Sequence, residues 1–252
     1  SLCLSPAQRE TLLETAVRLA RLCDYQNVGT VEFLVDGAGD FYFSEIKARI
    51  EIDHSLAEMT TRIDLVREQI RLAAGERLGY GQADVDIRGC AIMSRLQAED
   101  PSRRYLPSPG HLRRVRLPGG PEVRVDTYLY CDSEVPPFYD PLIAKVTVWA
   151  TDRTAAIDRL RRALEDFAIV GAPTNLPLLM TILRAPDFVS GSYATDFLRE
   201  SPVAKPATDI ELLRQDLAVA AAILHARRHE AFVPEVPEQW ATGWHRTSRH
   251  IQ

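Results

Sequence analysis

Apolar positions recur along this chain with two periods, and the switches between them lay out its elements. Near the amino end Leu12, Leu13, Ala16, Val17, Leu19, Ala20 and Cys23 fall on one face of a 3.6-residue period. Ser5-Pro6-Ala7-Gln8, just before them, has the order of an N-cap, a proline at the first helical position and a capping-box acceptor. The period then drops to two. Val31-Glu32-Phe33-Leu34-Val35 and Phe41-Tyr42-Phe43-Ser44-Glu45 flank Asp36-Gly37-Ala38-Gly39-Asp40, which predicts a β-hairpin. If Asp36 pairs with Phe41, Glu32 falls directly opposite Glu45, on one face with Leu34 and Phe43. Phe33, Val35, Tyr42 and Ile46 then point the other way.

Past Glu45 the charges Lys47, Arg49, Glu51 and Asp53 alternate with Ile46, Ala48, Ile50 and Ile52, so an extended chain aims all four to one side. A helix is predicted over Ile63–Ala74, stopped by Gly75. Arg88–Gln97, His111–Leu117, Glu122–Cys131 and Leu142–Ala150 read as strands. In the third, Val123, Val125, Thr127, Leu129 and Cys131 alternate with Arg124, Asp126, Tyr128 and Tyr130. Lys145 stands among apolar neighbours, either paired with Asp140 or reaching out to solvent. A helix with Ile157, Leu160, Leu164 and Phe167 on one face follows, then a second over about Asn175 to Leu183. The pattern is α+β with a mixed antiparallel sheet.

The tail is of another kind. Ser201–Thr208 reads as a proline-containing linker, and Asp209–His229 as a Leu- and Ala-rich helix without chemistry of its own. Pro234, Pro237, Trp240 and Trp244 beyond it suit either an extended clip onto another surface or a partly disordered end.

The acids at the hairpin carry the first chemical suggestion. Like charges opposed across two strands destabilise a sheet. A divalent cation between them reverses that sign, and paired carboxylates that also meet phosphate are a usual way of holding Mg²⁺. A hairpin edge with two unrelated solvated acids uses the same residues. The two cations and two acids that follow favour an anion-plus-metal site over a plain surface strand. His54, a lone histidine, is given no primary role.

Composition narrows the class. At 252 residues the chain suffices for one or two domains with a sizeable core. A net charge of −5 offers no basic face to nucleic acid. No apolar run approaches the ~20 residues of a membrane span, and the amino end does not read as a signal peptide. Cys3, Cys23, Cys90 and Cys131 show no CxxC spacing, so buried free thiols in a reducing cytoplasm are expected.

The hairpin sequence, with Gly29-Thr30 before it and Ile46-Lys47-Ala48-Arg49-Ile50, Asp53-His54 and Glu58-Met59 after it, resembles the core of biotin carboxylase. That is the ATP-grasp component of acetyl-CoA, propionyl-CoA and pyruvate carboxylases. Ser94-Arg95-Leu96-Gln97-Ala98-Glu99-Asp100-Pro101, Leu106-Pro107-Ser108-Pro109-Gly110, Pro118-Gly119-Gly120, Val135-Pro136-Pro137-Phe138-Tyr139-Asp140 and Gly171-Ala172-Pro173-Thr174-Asn175 match in the same order. The resemblance spans about residues 1–198.

It implies the second half of an ATP-grasp domain over 1–86, a biotin carboxylase C-terminal domain over 87–198, and a linker helix with an extended tail over 199–252. It implies Glu32 and Glu45 as ligands of Mg²⁺ (or Mn²⁺) on the ATP phosphates. Leu34 would pack near adenine, with Lys47, Glu51 and Ile52 also on the cofactor side. Arg49 would sit by bicarbonate, Asp53 at the general-base position, and Arg95 by the biotin enolate or carboxyphosphate. Partners implied are a biotin carboxyl carrier protein or domain, a carboxyltransferase and a second copy in a homodimer.

Three positions depart from the family, which has Asn at Lys47, Gln at Glu51 and Glu at Asp53. No glycine-rich phosphate loop is present, and the only lysines are Lys47, Lys145 and Lys205. Carboxylation by this polypeptide alone is therefore not expected. A catalytic component of an acyl-CoA carboxylase and a degenerate scaffold or regulatory subunit both remain open, and no Ala-Met-Lys-Met biotin-attachment motif occurs.

Overall fold

A computed structural model describes residues 4–200 and 217–225 of the chain. Helix α1 (Pro6–Leu22) starts at its capping box. Ser5 Oγ accepts from Gln8 N at 3.3 Å, and Gln8 Oε1 accepts from Ser5 N at 2.9 Å. The same Gln8 donates from Nε2 to Gly39 O at 3.2 Å, tying the helix to the turn of the hairpin. Gly39 has φ +89°, and a Cβ there would strike the Gln8 amide, so both the backbone and the space call for glycine.

Strands β1 (Thr30–Val35) and β2 (Phe41–Lys47) form the hairpin, with Glu32 opposite Glu45 as the pattern predicts. The register nearer the turn differs from the prediction. Asp36 faces Asp40 and not Phe41, its N–H donating to Asp40 O at 3.0 Å, while its carboxylate accepts from Ala38 N and Asp40 N, each at 3.0 Å, and organises the turn. Pairing therefore begins at Val35 with Phe41, and a β-bulge next to Glu32 restores the opposition of the acids. Phe43 consequently lies across from Phe33, ring centroids 6.4 Å apart, while Leu34 pairs with Tyr42. The expected grouping of Phe43 with Leu34 is thus corrected.

The extended stretch expected through Asp53 also ends early. Beyond Lys47 the chain turns, with Arg49 N donating to Lys47 O at 2.8 Å and His54 N to Glu51 O at 3.1 Å. Helix α2 (His54–Thr61) follows, and α3 (Leu65–Ala73) starts where Asp64 caps Arg67 N at 2.9 Å.

Next come β3 (Cys90–Gln97), β4 (Glu99–Asp100), β5 (Leu106–Pro107), β6 (Gly110–His111), β7 (Arg114–Arg116), β8 (Val123–Thr127), β9 (Glu134–Val135) and β10 (Leu142–Ala150). Helix α4 (Arg153–Asp166), β11 (Ala168–Val170), α5 (Leu176–Ile182), α6 (Pro186–Ser190) and α7 (Phe197–Glu200) complete the series. The main sheet is antiparallel in the order β3-β10-β8. Four short strands pair as β4 with β5 and β6 with β9, and β7 pairs with β11. The single strand expected over His111–Leu117 is split at Leu112, whose N–H turns to Ser133 O while that of Arg113 goes to Val170 O.

Period-two alternation gives the main sheet two unlike faces. Register places Ser94, Val146 and Val125 in one row, and Arg95, Lys145 and Asp126 in the neighbouring row on the opposite side. The apolar face receives α4, which buries Ala156, Ile157, Leu160, Ala163 and Leu164. Each such leucine contributes roughly 1.5–3 kcal/mol relative to exposure. The polar face receives α2, where Ser55 Oγ meets Thr147 Oγ1 at 2.8 Å and both residues are fully buried.

All described hydrophobic residues that are fully buried lie between Leu96 and Ala185. The chain divides into two units, Ser1–Ala204 and Lys205–Gln252. In the second, the described residues 217–225 are helical, within the helix expected from the sequence; the linker and the Trp-containing end lie outside the described residues. Cys23, Cys90 and Cys131 are free as expected but not buried, since Cys23 and Cys131 are exposed and Cys90 half-buried. Among the described residues no helix is long and apolar enough to cross a membrane.

Candidate active site

The polar sheet face, the loop after β2 and the start of α2 enclose an open cleft of about 630 Å³. Lys47, Arg49, Glu51, His54, Arg95 and Lys145 border it, together with Ile50 and Ile52. A second hollow of about 530 Å³ shares Ile52 and Arg95 with the first and continues along Gln97, Tyr128, Tyr139 and Asp140.

Each cation is set by a different element. Arg95 stands exposed on β3, whose backbone is clamped from the edge by the buried Asn175 side chain. Its Nδ2 donates to Arg95 O at 3.1 Å and its Oδ1 accepts from Gln97 N at 3.0 Å. Asn175 is reached because Gly171, at φ +131°, passes close against the backbone of His111 and Leu112, where a Cβ would not fit. Lys145 on β10 is largely buried; its Nζ donates to Ile52 O at 3.1 Å and lies 3.4 Å from Asp126 Oδ2. Its partner is therefore Asp126 on the adjacent strand, not Asp140, which instead caps Leu142 N at 2.9 Å.

A charged relay extends behind this point. Arg124 bridges Asp126 at 2.9 Å and Glu58 of α2 at 2.5 Å. Burial works against the Arg124 charge, but its hydrogen bonds to these carboxylates and their negative charge outweigh it and hold its pKa above the usual value. The relay fixes α2, and the loop before it, to the sheet.

On the hairpin, Lys47 Nζ lies 2.5 Å from Glu32 Oε1 and 3.7 Å from Glu45 Oε1. The hydrogen bond to Glu32 raises the Lys47 pKa against a smaller desolvation effect, and Glu51 and Glu45 add weaker attraction. Arg49 is mostly exposed and pairs with Glu51 at 3.0 Å. Asp53 sits at the N-cap of α2 without a side-chain cap bond, is exposed, and does not border the cleft. Leu34 is 67% exposed on the hairpin. Among the described residues no group of three or more His, Cys, Asp or Glu side chains is placed to hold a metal ion.

The structure thus gathers Lys47, Arg49, Glu51, Ile52 and Arg95 around one cleft and sets Glu32 and Glu45 beside Lys47. Lys145 and His54, whose Nδ1 lies 2.8 Å from Glu51 O, join it without having been assigned a role from the sequence. A lone lysine in an apolar strand was the available signal for the first. Four cationic side chains and one acid border the cleft, and three of the cations, Lys47, Arg49 and Lys145, pair with carboxylates of the chain itself.

Residues 93–200 match the biotin carboxylase C-terminal domain, and residues 1–80 match the ATP-binding domain of the carbamoyl-phosphate synthase L chain. The biotin carboxylase of Nostoc sp. is 45% identical over 192 residues, which cover 76% of this chain and 43% of that protein. Biotin carboxylase 1 of Bacillus subtilis is 42% identical over 191 residues, covering 75% and 42%. The biotin carboxylase domain dimer of Hydrogenobacter thermophilus 2-oxoglutarate carboxylase, solved with MgADP, ADP and bicarbonate, superposes with a TM-score of 0.80. It shares 43% identity and is matched over 82% of this chain and 46% of that one.

Fold and sequence together define an α+β protein of the ATP-grasp carboxylase class, with the second half of an ATP-grasp domain followed by a C-terminal domain. The chain belongs to the biotin carboxylase family. It spans less than half the length of the curated relatives named above.

Proposed function

We propose that this chain supplies part of a biotin carboxylase, in which bicarbonate is activated with ATP to carboxyphosphate and the carboxyl group passes to biotin on a carrier protein or domain. The observation that carries the reading is the convergence of Lys47, Arg49, Arg95 and Lys145 on one cleft next to the opposed Glu32 and Glu45.

In this reading Arg49 holds bicarbonate and Arg95 stabilises the biotin enolate or the carboxyphosphate. Lys47, Glu51 and Ile52 border the phosphate end, and Leu34 lies toward adenine. Asp53 is the general base, and its exposed position requires it to act through a water or after the loop closes. Glu32 and Glu45 would hold Mg²⁺ or Mn²⁺ through their carboxylate oxygens, the ligand type these ions take. Bound there, the ion neutralises charge on the phosphate oxygens. Residues 1–86 act as the second ATP-grasp half, 87–198 as the C-terminal domain and 199–252 as the connection toward further parts of an acyl-CoA carboxylase. A carboxyltransferase, pairing with a second copy and a cytoplasmic setting belong to the same proposal.

A specific observation favours a second reading, a non-catalytic scaffold or regulatory subunit. Three cations of the cleft are engaged by the chain's own acids, Arg49 by Glu51, Lys47 by Glu32 and Lys145 by Asp126.

Bicarbonate-dependent ADP release in the presence of biotin tests the proposal. The chain is assayed alone and mixed with the segment of the Nostoc relative that precedes the matched portion. Turnover in the mixture that Arg95→Ala lowers by at least about 100-fold is expected, since removing one preorganised charge costs about that much. No turnover in any mixture supports the scaffold.

A further inference from the structure

We propose that Lys47 is the resting counter-ion of the Glu32–Glu45 pair, so that a divalent cation enters the pair only when this ammonium is displaced. Direct opposition of two carboxylates on neighbouring strands is destabilising unless something neutralises it. Here the neutralising charge belongs to the chain itself. Lys47 lies two residues beyond Glu45 on β2 and pairs with Thr30, two residues before Glu32 on β1, so its stem crosses diagonally between the acids. Its ammonium contacts both of them, at 2.5 and 3.7 Å.

A cation held by both carboxylates would need the same oxygens. Two positive charges at one carboxylate pair repel, and at contact distance that repulsion exceeds thermal energy even near a protein surface. Lys47 also has somewhere to go. It borders the cleft, where Glu51 offers a second acidic partner, and its four-carbon stem is flexible. The pair is thus a cation site that the chain fills unless the lysine is drawn away.

The inference deepens the reading of this face as the metal–nucleotide face. Its test uses neither nucleotide nor biotin, so it can fail while the carboxylation assay succeeds, and the reverse. The full chain is titrated with MnCl₂ alone, following free Mn²⁺ by electron paramagnetic resonance and stability by thermal unfolding. The wild type and Lys47→Arg should show little binding and no change in melting temperature.

Lys47→Met should melt lower without metal, bind Mn²⁺ at least about tenfold more tightly than wild type, and regain stability as the metal is added. Glu45→Gln on the Lys47→Met background should lose that response. If Lys47→Met does not fold, the fold must return in Glu32→Gln/Lys47→Met, where the repulsion is gone. Lys47→Met with wild-type stability and wild-type Mn²⁺ binding overturns the proposal, as does a double variant that stays unfolded.

Discussion

Lys145 is largely buried yet keeps two partners, the Ile52 carbonyl as hydrogen-bond acceptor and Asp126 as ion-pair partner at 3.4 Å. Lys145→Met removes a charged hydrogen bond that anchors the loop bordering the cleft, and should cost about 2 kcal/mol of unfolding free energy in a urea titration. Asp140→Asn, by contrast, retains the acceptor for Leu142 N and should stay within about 0.5 kcal/mol of wild type. The sequence offered Asp140 as the partner because it is near in the chain. Asp126 is chosen by register, because β8 pairs with β10 so that Asp126 lies directly opposite Lys145.

Glu99 gives a pH dependence of known sign. Burial raises its pKa, and the negative charge of Asp140 adds to the effect. A carboxyl raised on folding contributes stability below its ordinary value of 4.5, and that contribution is lost as pH rises through the folded value. Glu99→Gln should therefore raise the melting temperature at neutral pH, and the gain should vanish in acid below the ordinary carboxyl range. A gain of the same size at both pH values would contradict the assignment.

At the scale of elements, what the sequence made legible was local chemistry. The capping box of α1, the alternation in β8 and the apolar stripe of α4 are set by neighbours within a few residues. What it hid depended on competition between local and ladder hydrogen bonds. The Asp36 carboxylate accepts from two turn N–H groups and its own N–H pairs with Asp40 O, which moves the register at one end of the hairpin, and the bulge moves it back at the other. Helix α2 was missed because alternating charges after Glu45 imitate a strand. Its true partner is the polar sheet face, invisible until β3, β10 and β8 are laid side by side.

The contact between Ser55 and Thr147 tests that packing. Ser55→Ala strands a buried hydroxyl and should cost about 1–3 kcal/mol, whereas Ser55→Ala/Thr147→Val should cost less than the sum of the single changes. On the other sheet face Leu160→Ala should cost about 2–5 kcal/mol through a cavity under α4. Equilibrium denaturation of the set measures both faces of one sheet.

At the scale of the whole molecule, family membership was legible because several short motifs recur in order, each anchored to a structural need. Asn175 and Gly171 of one motif position the strand that carries Arg95 of another. Competence was less legible, because it turns on whether Lys47, Glu51 and Asp53 support the chemistry in a cleft where acids and bases pair internally. The most direct measurement is transfer of label from bicarbonate to biotin by the chain complemented with the preceding segment of a relative. Wild type is compared with Lys47→Asn/Glu51→Gln/Asp53→Glu. A catalytic component incorporates label in the wild-type mixture, with Mg²⁺ and ATP both required. Incorporation that appears only after the three substitutions would contradict it.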